Sequence, residues 1–102
     1  MSRIPVMRPW FGAEEAEAVA EAVASGWVAQ GPRVAAFETA FAARMRATEA
    51  VAVSNCTTGL HLALVLAGVG PGDEVVVPSL SFVATANVVR YVGATPVFAD
   101  VE

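Results

Sequence analysis

The stretch EVVVPSLSFVATANVVRYVGATPVFADV, residues 74–101, decides the fold. It opens with an apolar run, residues 74–78, that predicts a buried strand stopped by Pro78. A helix is predicted over residues 81–93, and another strand over residues 95–101. A strand, a helix and a second strand in succession are typical of a parallel sheet with the helix packed on one face.

The same alternation continues upstream of this stretch. AVAV, residues 50–53, is apolar without polar alternation, which is typical of a strand buried on both faces of a parallel sheet. A helix is predicted over residues 56–68, closed by Gly68, and VGPGDE, residues 69–74, has the composition of a turn. We therefore predict an α/β fold in which residues 50–102 form a βαβαβ segment with both connecting helices on one face of the sheet.

Two helices are predicted before the first strand. AEEAEAVAEAVASG, residues 13–26, carries acids in its first turn, where they complement the helix dipole, and Gly26 is its expected end. Pro32 is suited to the first turn of the second helix. One apolar stripe of that helix contains Val34, Phe37, Phe41 and Met45. The chain thus divides into a helical segment, residues 9–47, and the βαβαβ segment.

The composition is more apolar than that of an average soluble domain. Of the 102 residues, 56% are hydrophobic and 16% are charged, against averages of roughly 45–50% and about 25%. A domain of this size has a high ratio of surface to volume, which polar residues normally cover. We therefore expect the chain to be part of a larger body or one half of an extensive interface.

Charge and pattern exclude several classes of function. The net charge is −4 and the six basic residues, all arginine, are scattered, whereas a nucleic-acid binder needs a basic face. The longest uncharged stretch, residues 50–72, contains polar residues that a membrane-spanning helix would avoid, and the N-terminus lacks a signal-peptide pattern. One cysteine supplies neither a disulfide nor a metal site. We expect a cytoplasmic protein with no membrane partner, no nucleic-acid partner and no metal.

The polar run SNCTTGLH, residues 54–61, stands where a predicted strand gives way to a helix. Ligands of parallel sheets bind at the carboxyl ends of the strands, and the first amides of a helix attract anions. Thr57 and Thr58 could add hydroxyl donors, and Gly59 would keep the approach open, which predicts a phosphate site. The alternative, which these eight residues alone favour, is an ordinary helix cap by Ser54 or Thr57.

Three further side chains each have a chemical and a structural interpretation. Phe82 follows a predicted strand and could stack on a flat ring, although an isolated phenylalanine is more often part of a core. His61 could act as a base and Cys56 as a low-pKa thiol, but we expect both to be packing residues, since nothing nearby completes a catalytic set.

Three runs together resemble the N-terminal third of the DegT-type aminotransferases. They are SGWVAQGPRVAAFETAFAARM (25–45), AVAVSNCTTGLHLAL (50–64) and GVGPGDEVVVPSLSFVATANVVRYVGATPVFADV (68–101). These family members are pyridoxal-phosphate enzymes of fold type I that aminate sugars on nucleotide carriers. The resemblance implies that residues 1–102 begin the large domain, a three-layer αβα sandwich, and that the enzyme is a homodimer.

The resemblance also implies roles for individual residues. Thr57 and Thr58 would hold the phosphate of pyridoxal 5′-phosphate, largely through backbone amides, and Phe82 would stack on its pyridine ring. Trp27 and Gln30 would lie near an active site shared between two subunits. Ser81 would face the substrates, a nucleotide-linked keto-sugar and an amino-acid donor such as glutamate.

The sequence departs from the family in one respect, because none of its 102 residues is lysine. Transamination needs a lysine that forms a Schiff base with the coenzyme and moves the proton. No catalytic residue is therefore assigned in this chain, and we expect the chain alone to be inactive. Two alternatives are a pyridoxal-phosphate sugar dehydratase of the same fold, in which histidine replaces the lysine, and a short non-catalytic module that binds phosphate ligands or a protein.

Overall fold

A computed structural model of the protein describes residues 4, 5 and 7–100, which fall into two compact units, residues 1–50 and residues 51–102. The helices and strands are α1 (Ala13–Ala24), α2 (Pro32–Met45), α3 (Cys56–Leu66), β1 (Glu74–Pro78), α4 (Ala84–Tyr91) and β2 (Thr95–Ala99). No helix within the described residues is long and apolar enough to cross a membrane.

The first unit contains α1 and α2, both of which were predicted. The N–H of Gly12 donates to Glu15 Oε2 at 2.6 Å and so satisfies one amide before α1. α1 ends at Ala24, and Gly26 follows two residues later in the left-handed conformation, with φ +71°, as expected of the residue that closes the helix. Arg33 and Glu21, one on each helix, form an ion pair at 3.3 Å.

Little of this unit is buried. Ala42 is its one buried residue among those that the structure describes. The apolar stripe predicted for α2 exists, and the rings of Phe37 and Phe41 lie 5.6 Å apart between centroids, yet both side chains are about half exposed. The stripe therefore has no core of its own within residues 7–50.

The second unit is built on the parallel pair β1 and β2. Glu74 pairs with Thr95, and the register continues to Pro78 opposite Ala99. One more bond extends the ladder at the C-terminal end, where the N–H of Ser79 donates to the carbonyl of Ala99 at 2.8 Å. The parallel strand–helix–strand arrangement predicted for the deciding stretch is confirmed.

The turn before β1 has the chemistry that its sequence predicts. The N–H of Asp73 donates to the carbonyl of Gly70 at 3.1 Å, and the carboxylate of Asp73 accepts from the N–H of Gly70 at 2.8 Å. Pro71 and Gly72 occupy the two central positions, and Gly72 has φ +97°. A type II turn needs this combination, because its third residue has a positive φ that glycine adopts at little cost.

The core of this unit lies on one face of the two strands. Val77, Val89 and Ala94 form its centre, and Leu64 from α3 packs against them. α3 and α4 also contact each other. Leu64 therefore brings α3 to the face of the strands on which α4, the crossover helix between them, is packed.

Two details of the predicted elements are wrong. AVAV, residues 50–53, is not a strand, because the only ladder among the described residues joins β1 to β2. β1 is buried on one face alone, since Val77 is 4% exposed and Val76 is 70% exposed. A parallel strand is buried on both faces only where helices pack on both faces of its sheet, and within this unit helices pack on one face.

Some boundaries also differ from the prediction. α4 begins at residue 84 rather than 81, because the first bonds of this turn, from Thr85 to Phe82 and from Ala86 to Val83, span three residues. An α-helical ladder starts only when an N–H reaches the carbonyl four residues back. α3 ends two residues before Gly68, and β2 ends at residue 99. The last predicted strand position, Val101, lies outside the described residues.

Candidate functional site

The polar run SNCTTGLH forms the entry to α3, and Asn55 is its N-cap. The Asn55 side-chain oxygen accepts a hydrogen bond from the backbone N–H of Thr58 at 2.9 Å. Asparagine, three residues before the amide that it caps, is among the most favourable N-cap residues. The helix cap expected from the sequence is present, but neither Ser54 nor Thr57 provides it.

Three side chains around this cap form a closed ring of hydrogen bonds. The Thr58 hydroxyl donates to Asn55 Oδ1 at 3.2 Å, and Asn55 Nδ2 donates to Ser54 Oγ at 3.3 Å. Ser54 Oγ and Thr58 Oγ1 lie 3.1 Å apart. Since the Thr58 proton is directed to Asn55, Ser54 is the donor in this last bond. Both donors of Thr58, its amide and its hydroxyl, therefore bind within the turn.

Two amides of the turn remain without an acceptor inside the helix, those of Cys56 and Thr57. The N–H of Gly59 already donates to the carbonyl of Asn55 at 3.2 Å. A Cβ on Gly59 would lie 3.4 Å from Val53 Cγ2, which is an ordinary van der Waals contact, so the expectation that Gly59 keeps an approach open stays a prediction. The amides of Cys56 and Thr57 and the Thr57 hydroxyl are the available donors.

A second group of polar side chains follows β1. The hydroxyls of Ser81 and Thr85 lie 3.1 Å apart, and Ser79 Oγ donates to Asp100 Oδ1 at 3.3 Å. Phe82 is 76% exposed in this loop, so the interpretation of Phe82 as a core residue is wrong for this unit. The carboxyl end of β1 therefore presents hydroxyl groups and one open aromatic ring.

The loop between α1 and α2 is fixed by Trp27. The indole N–H of Trp27 donates to the carbonyl of Gln30 at 2.9 Å, and its backbone N–H donates to Ser25 Oγ at 3.2 Å. A Cβ on Gly31 would overlap the indole ring, so glycine is required there for packing. The structure thus joins Trp27 to the backbone of Gln30, whose side chain is exposed.

The two residues considered for catalysis have different surroundings. The ring of His61 meets the ring of Tyr91 edge-on, at 5.7 Å between centroids and an angle of 69°, which fits a packing role. Cys56 is exposed, so its interpretation as a small packing residue is wrong within this unit. The described residues contain no cluster of side chains that could hold a metal ion.

Comparison with known proteins decides the family. The profile of the DegT/DnrJ/EryC1/StrS aminotransferase family matches residues 9–102. The chain belongs to this family. The spore coat polysaccharide biosynthesis protein SpsC of Bacillus subtilis (strain 168) is 50% identical to this DegT-family chain over 99 residues, which are 97% of the chain and 25% of SpsC.

Solved structures support the same assignment. Spr1654 from Streptococcus pneumoniae, assigned as a sugar aminotransferase and solved in PMP and PLP forms, matches with a TM-score of 0.82 at 34% identity. The match covers 99% of this chain and 26% of Spr1654. The aminotransferase TlmJ from Streptoalloteichus hindustanus matches with a TM-score of 0.78 at 48% identity, over 98% of this chain and 28% of TlmJ.

These likenesses confirm the predicted fold class, the α/β architecture of fold type I aminotransferases. The DegT-family chain spans about a quarter of the length of the relatives that it matches.

Sequence reasoning missed the cap formed by Asn55 and its hydrogen-bonded ring with Ser54 and Thr58. The signal was present, because an asparagine directly before a helical run and three residues before a threonine is a typical cap.

Proposed function

We propose that the gene product is a pyridoxal-phosphate-dependent aminotransferase that transfers an amino group from an amino-acid donor, glutamate in the simplest case, to a nucleotide-linked keto-sugar. The observation that carries the proposal is the likeness to Spr1654 in its PLP form, at 34% identity and a TM-score of 0.82. Family membership supports the amino-transfer chemistry. The 50% identity to a polysaccharide biosynthesis protein supports a sugar as the acceptor.

The start of α3 offers donors that suit the coenzyme phosphate. The amides of Cys56 and Thr57 lack an acceptor within the helix and lie at the positive end of its dipole. No acidic residue occurs within residues 50–61 to repel an anion. We propose that the turn containing Thr57 and Thr58 holds the phosphate, largely through backbone N–H groups.

Phe82 is proposed to stack on the pyridine ring. Its side chain is 76% exposed directly after β1, so its faces are free of core contacts within this unit. A phosphate anchor and a stacked ring fix the position and tilt of the coenzyme and form no covalent bond to it. When bound, the coenzyme supplies an electron-poor ring that stabilises negative charge on the reacting carbon.

The chain supplies binding and orientation rather than proton transfer. None of its 102 residues is lysine, and amino transfer needs an amine that moves the proton. We infer that the 102-residue chain by itself does not transaminate. Measurable amino transfer by a pure preparation whose intact mass matches 102 residues would contradict this inference.

The loop before α2 is proposed to face the substrates in a homodimer. Trp27 holds this loop through its bond to the Gln30 carbonyl, which leaves the Gln30 side chain exposed for a contact. Ser81, beside the proposed stacking residue, is the third substrate-facing candidate. The proposal includes a cytoplasmic enzyme, because nucleotide-linked sugars and free amino acids are cytoplasmic metabolites.

Coenzyme binding by the complete gene product tests the proposal. We expect pyridoxal phosphate to bind with a changed absorbance spectrum, and glutamate to change that spectrum again. Phe82→Ala should weaken coenzyme binding by roughly threefold to tenfold, the amount expected for a lost aromatic contact, whereas Phe82→Tyr keeps the ring and should bind as the natural protein does. A complete gene product that binds no coenzyme would refute the proposal.

A further inference from the structure

The loop that carries Phe82 is held by hydrogen bonds rather than by packing. The side chains of Leu80, Phe82 and Val83 are all exposed, so they contribute little to the core of this unit. A segment with little packing is ordered only where its polar groups find partners. The direction in which the ring of Phe82 points therefore depends on the hydrogen bonds at the two ends of the loop.

The downstream end is held by the first turn of α4. The N–H of Thr85 donates to the carbonyl of Phe82 at 3.0 Å, and the hydroxyls of Ser81 and Thr85 lie 3.1 Å apart. The carbonyl of Val83 accepts from the N–H of Asn87 at 3.1 Å. These bonds span four residues at most, so they set the local shape of the turn and tie it to α4.

The upstream end is held across the sheet by Ser79. Its N–H donates to the carbonyl of Ala99 at 2.8 Å, and its hydroxyl donates to Asp100 Oδ1 at 3.3 Å. Two bonds to successive residues fix the orientation of Ser79, whereas the backbone bond alone would leave it free to pivot. Residue 82 lies three positions further on, and each extended residue spans about 3.5 Å. A change of direction at Ser79 can thus move the ring of Phe82 by several ångströms.

We propose that Ser79 and Asp100 form a positioning pair for the coenzyme site, in which their side-chain bond sets the direction of the loop and so the angle of the Phe82 ring. The inference rests on the proposed function, since it concerns the ring that stacks on the coenzyme. Both residues act through Phe82. A distance of 3.3 Å is long for a bond between two oxygens, so its loss should weaken coenzyme binding a few-fold rather than abolish it.

Two substitutions at Ser79 in the complete gene product test the inference. Ser79→Ala removes the hydroxyl, and Ser79→Thr keeps it. We expect Ser79→Ala to bind pyridoxal phosphate about threefold more weakly, to change the circular dichroism of the bound coenzyme, which depends on the tilt of its ring, and to speed amide exchange at residues 80–82 in the coenzyme-free protein. Its melting temperature should stay within a few degrees. Ser79→Thr should behave as the natural protein does.

A double-mutant cycle with Phe82→Ala separates positioning from a general structural role. If Ser79 acts through the ring of Phe82, Ser79→Ala should cause no further loss of coenzyme affinity once that ring is absent. A structural role independent of the ring would instead weaken binding by the same factor in both backgrounds.

Three results would overturn the inference and leave the proposed function intact. Ser79→Ala could bind the coenzyme with natural affinity and an unchanged spectrum, it could lose the same affinity with and without Phe82, or Ser79→Thr could lose as much affinity as Ser79→Ala. If Ser79→Ala does not fold, Asp100→Ala tests the pair from its other side, with the same expected dependence on Phe82. A natural protein that binds no pyridoxal phosphate would overturn the proposed function and this inference together.

Discussion

Thr57 and Thr58 are neighbours in the sequence with opposite hydrogen-bonding roles. Thr58 donates twice to Asn55, whereas the amide of Thr57, in the first turn, has no carbonyl acceptor within α3. We predict that Thr57→Val in the complete gene product raises the coenzyme dissociation constant about tenfold or more, because a hydrogen bond to a charged group contributes roughly 1.5–3 kcal/mol. The melting temperature of the coenzyme-free protein should stay unchanged, which thermal unfolding would check.

Thr58→Val is the matched control, since it removes one hydroxyl from the adjacent position. It breaks two bonds of the ring with Ser54 and Asn55, and it should lower the stability of the coenzyme-free protein by roughly 0.5–1.5 kcal/mol. Its effect on coenzyme affinity should be smaller than that of Thr57→Val. Equal affinity losses in the two variants would show that the threonines do not have separate roles.

Arg46 is the one non-glycine residue with a positive φ among those described, at +54°. It closes α2, with the N–H of Ala47 donating to the carbonyl of Ala42 at 3.0 Å, in a geometry that usually selects glycine. We predict that Arg46→Gly stabilises the protein by about 0.5 kcal/mol, because the relief of the left-handed conformation exceeds the greater freedom of the unfolded chain. Denaturant unfolding would measure the difference.

Arg44, two residues earlier in the last turn of α2, provides the control for this prediction. It is exposed and has an ordinary helical conformation, so Arg44→Gly should destabilise the protein by about 1 kcal/mol. The two substitutions remove the same side chain from the same turn and should have effects of opposite sign. If both destabilise the protein equally, the conformation of Arg46 carries no energetic cost.

At the scale of a helix, the start of α1 should respond to pH. The bond from the Gly12 N–H lowers the pKa of the Glu15 carboxyl below its usual 4.5. Because the folded-state pKa is depressed, the stabilisation is present above the unfolded-state value and is lost as the pH falls through the folded-state value. We predict that amide exchange in the first turn of α1 accelerates as the pH falls below about 4.5, after correction for intrinsic exchange rates.

Glu15→Gln should remove most of this pH dependence, because glutamine cannot become a charged acceptor. Glu14→Gln removes a charge from the same turn without removing the bond to Gly12, so it should leave the pH dependence in place. An NMR titration of the Glu15 carboxyl gives the pKa directly. A titration midpoint at or above 4.5 would contradict the role given to the Gly12 bond.

Sequence reasoning predicted elements well where local chemistry determines them. The turn before β1 follows from Pro71 and Gly72, and α2 begins at Pro32 as its ring geometry favours. AVAV, residues 50–53, was predicted to be a strand and is not, because a strand also needs a neighbour, which local composition does not specify. The hydrogen bonds of Thr58 with Asn55 and Ser54 were missed for a similar reason, since they depend on which acceptor each proton reaches.

At the scale of the whole molecule, the apolar composition is explained by the many large apolar side chains that remain exposed to solvent. Six apolar residues are buried among those described, five of them in the second unit and one in the first. Exposed large apolar side chains are far more numerous and occur in both units; they include Val19, Val23, Phe37, Phe41, Leu62, Leu66, Val76 and Phe98. The expectation that the chain does not cover its own surface is confirmed for the described residues.

This exposure leads to a prediction about the 102-residue chain produced by itself. Burial of apolar surface is the main favourable term in folding, and a centre of Val77, Val89 and Ala94 supplies little of it. We predict that the chain alone keeps helical far-ultraviolet circular dichroism, unfolds over a broad temperature range and strongly binds a dye specific for exposed apolar surface. The complete gene product should unfold sharply and bind little dye.

A substitution in this core centre should affect the stability of the complete gene product and of the isolated 102-residue chain differently. Val89 is 1% exposed, and Val89→Ala should cost the complete gene product roughly 1–3 kcal/mol, through lost burial and the cavity that remains. In the isolated chain the same change should barely alter the unfolding curve, since a loosely packed interior has no fixed cavity to leave. A sharp transition in the isolated chain that Val89→Ala moves to lower temperature would show instead that residues 51–100 form a specific core unaided.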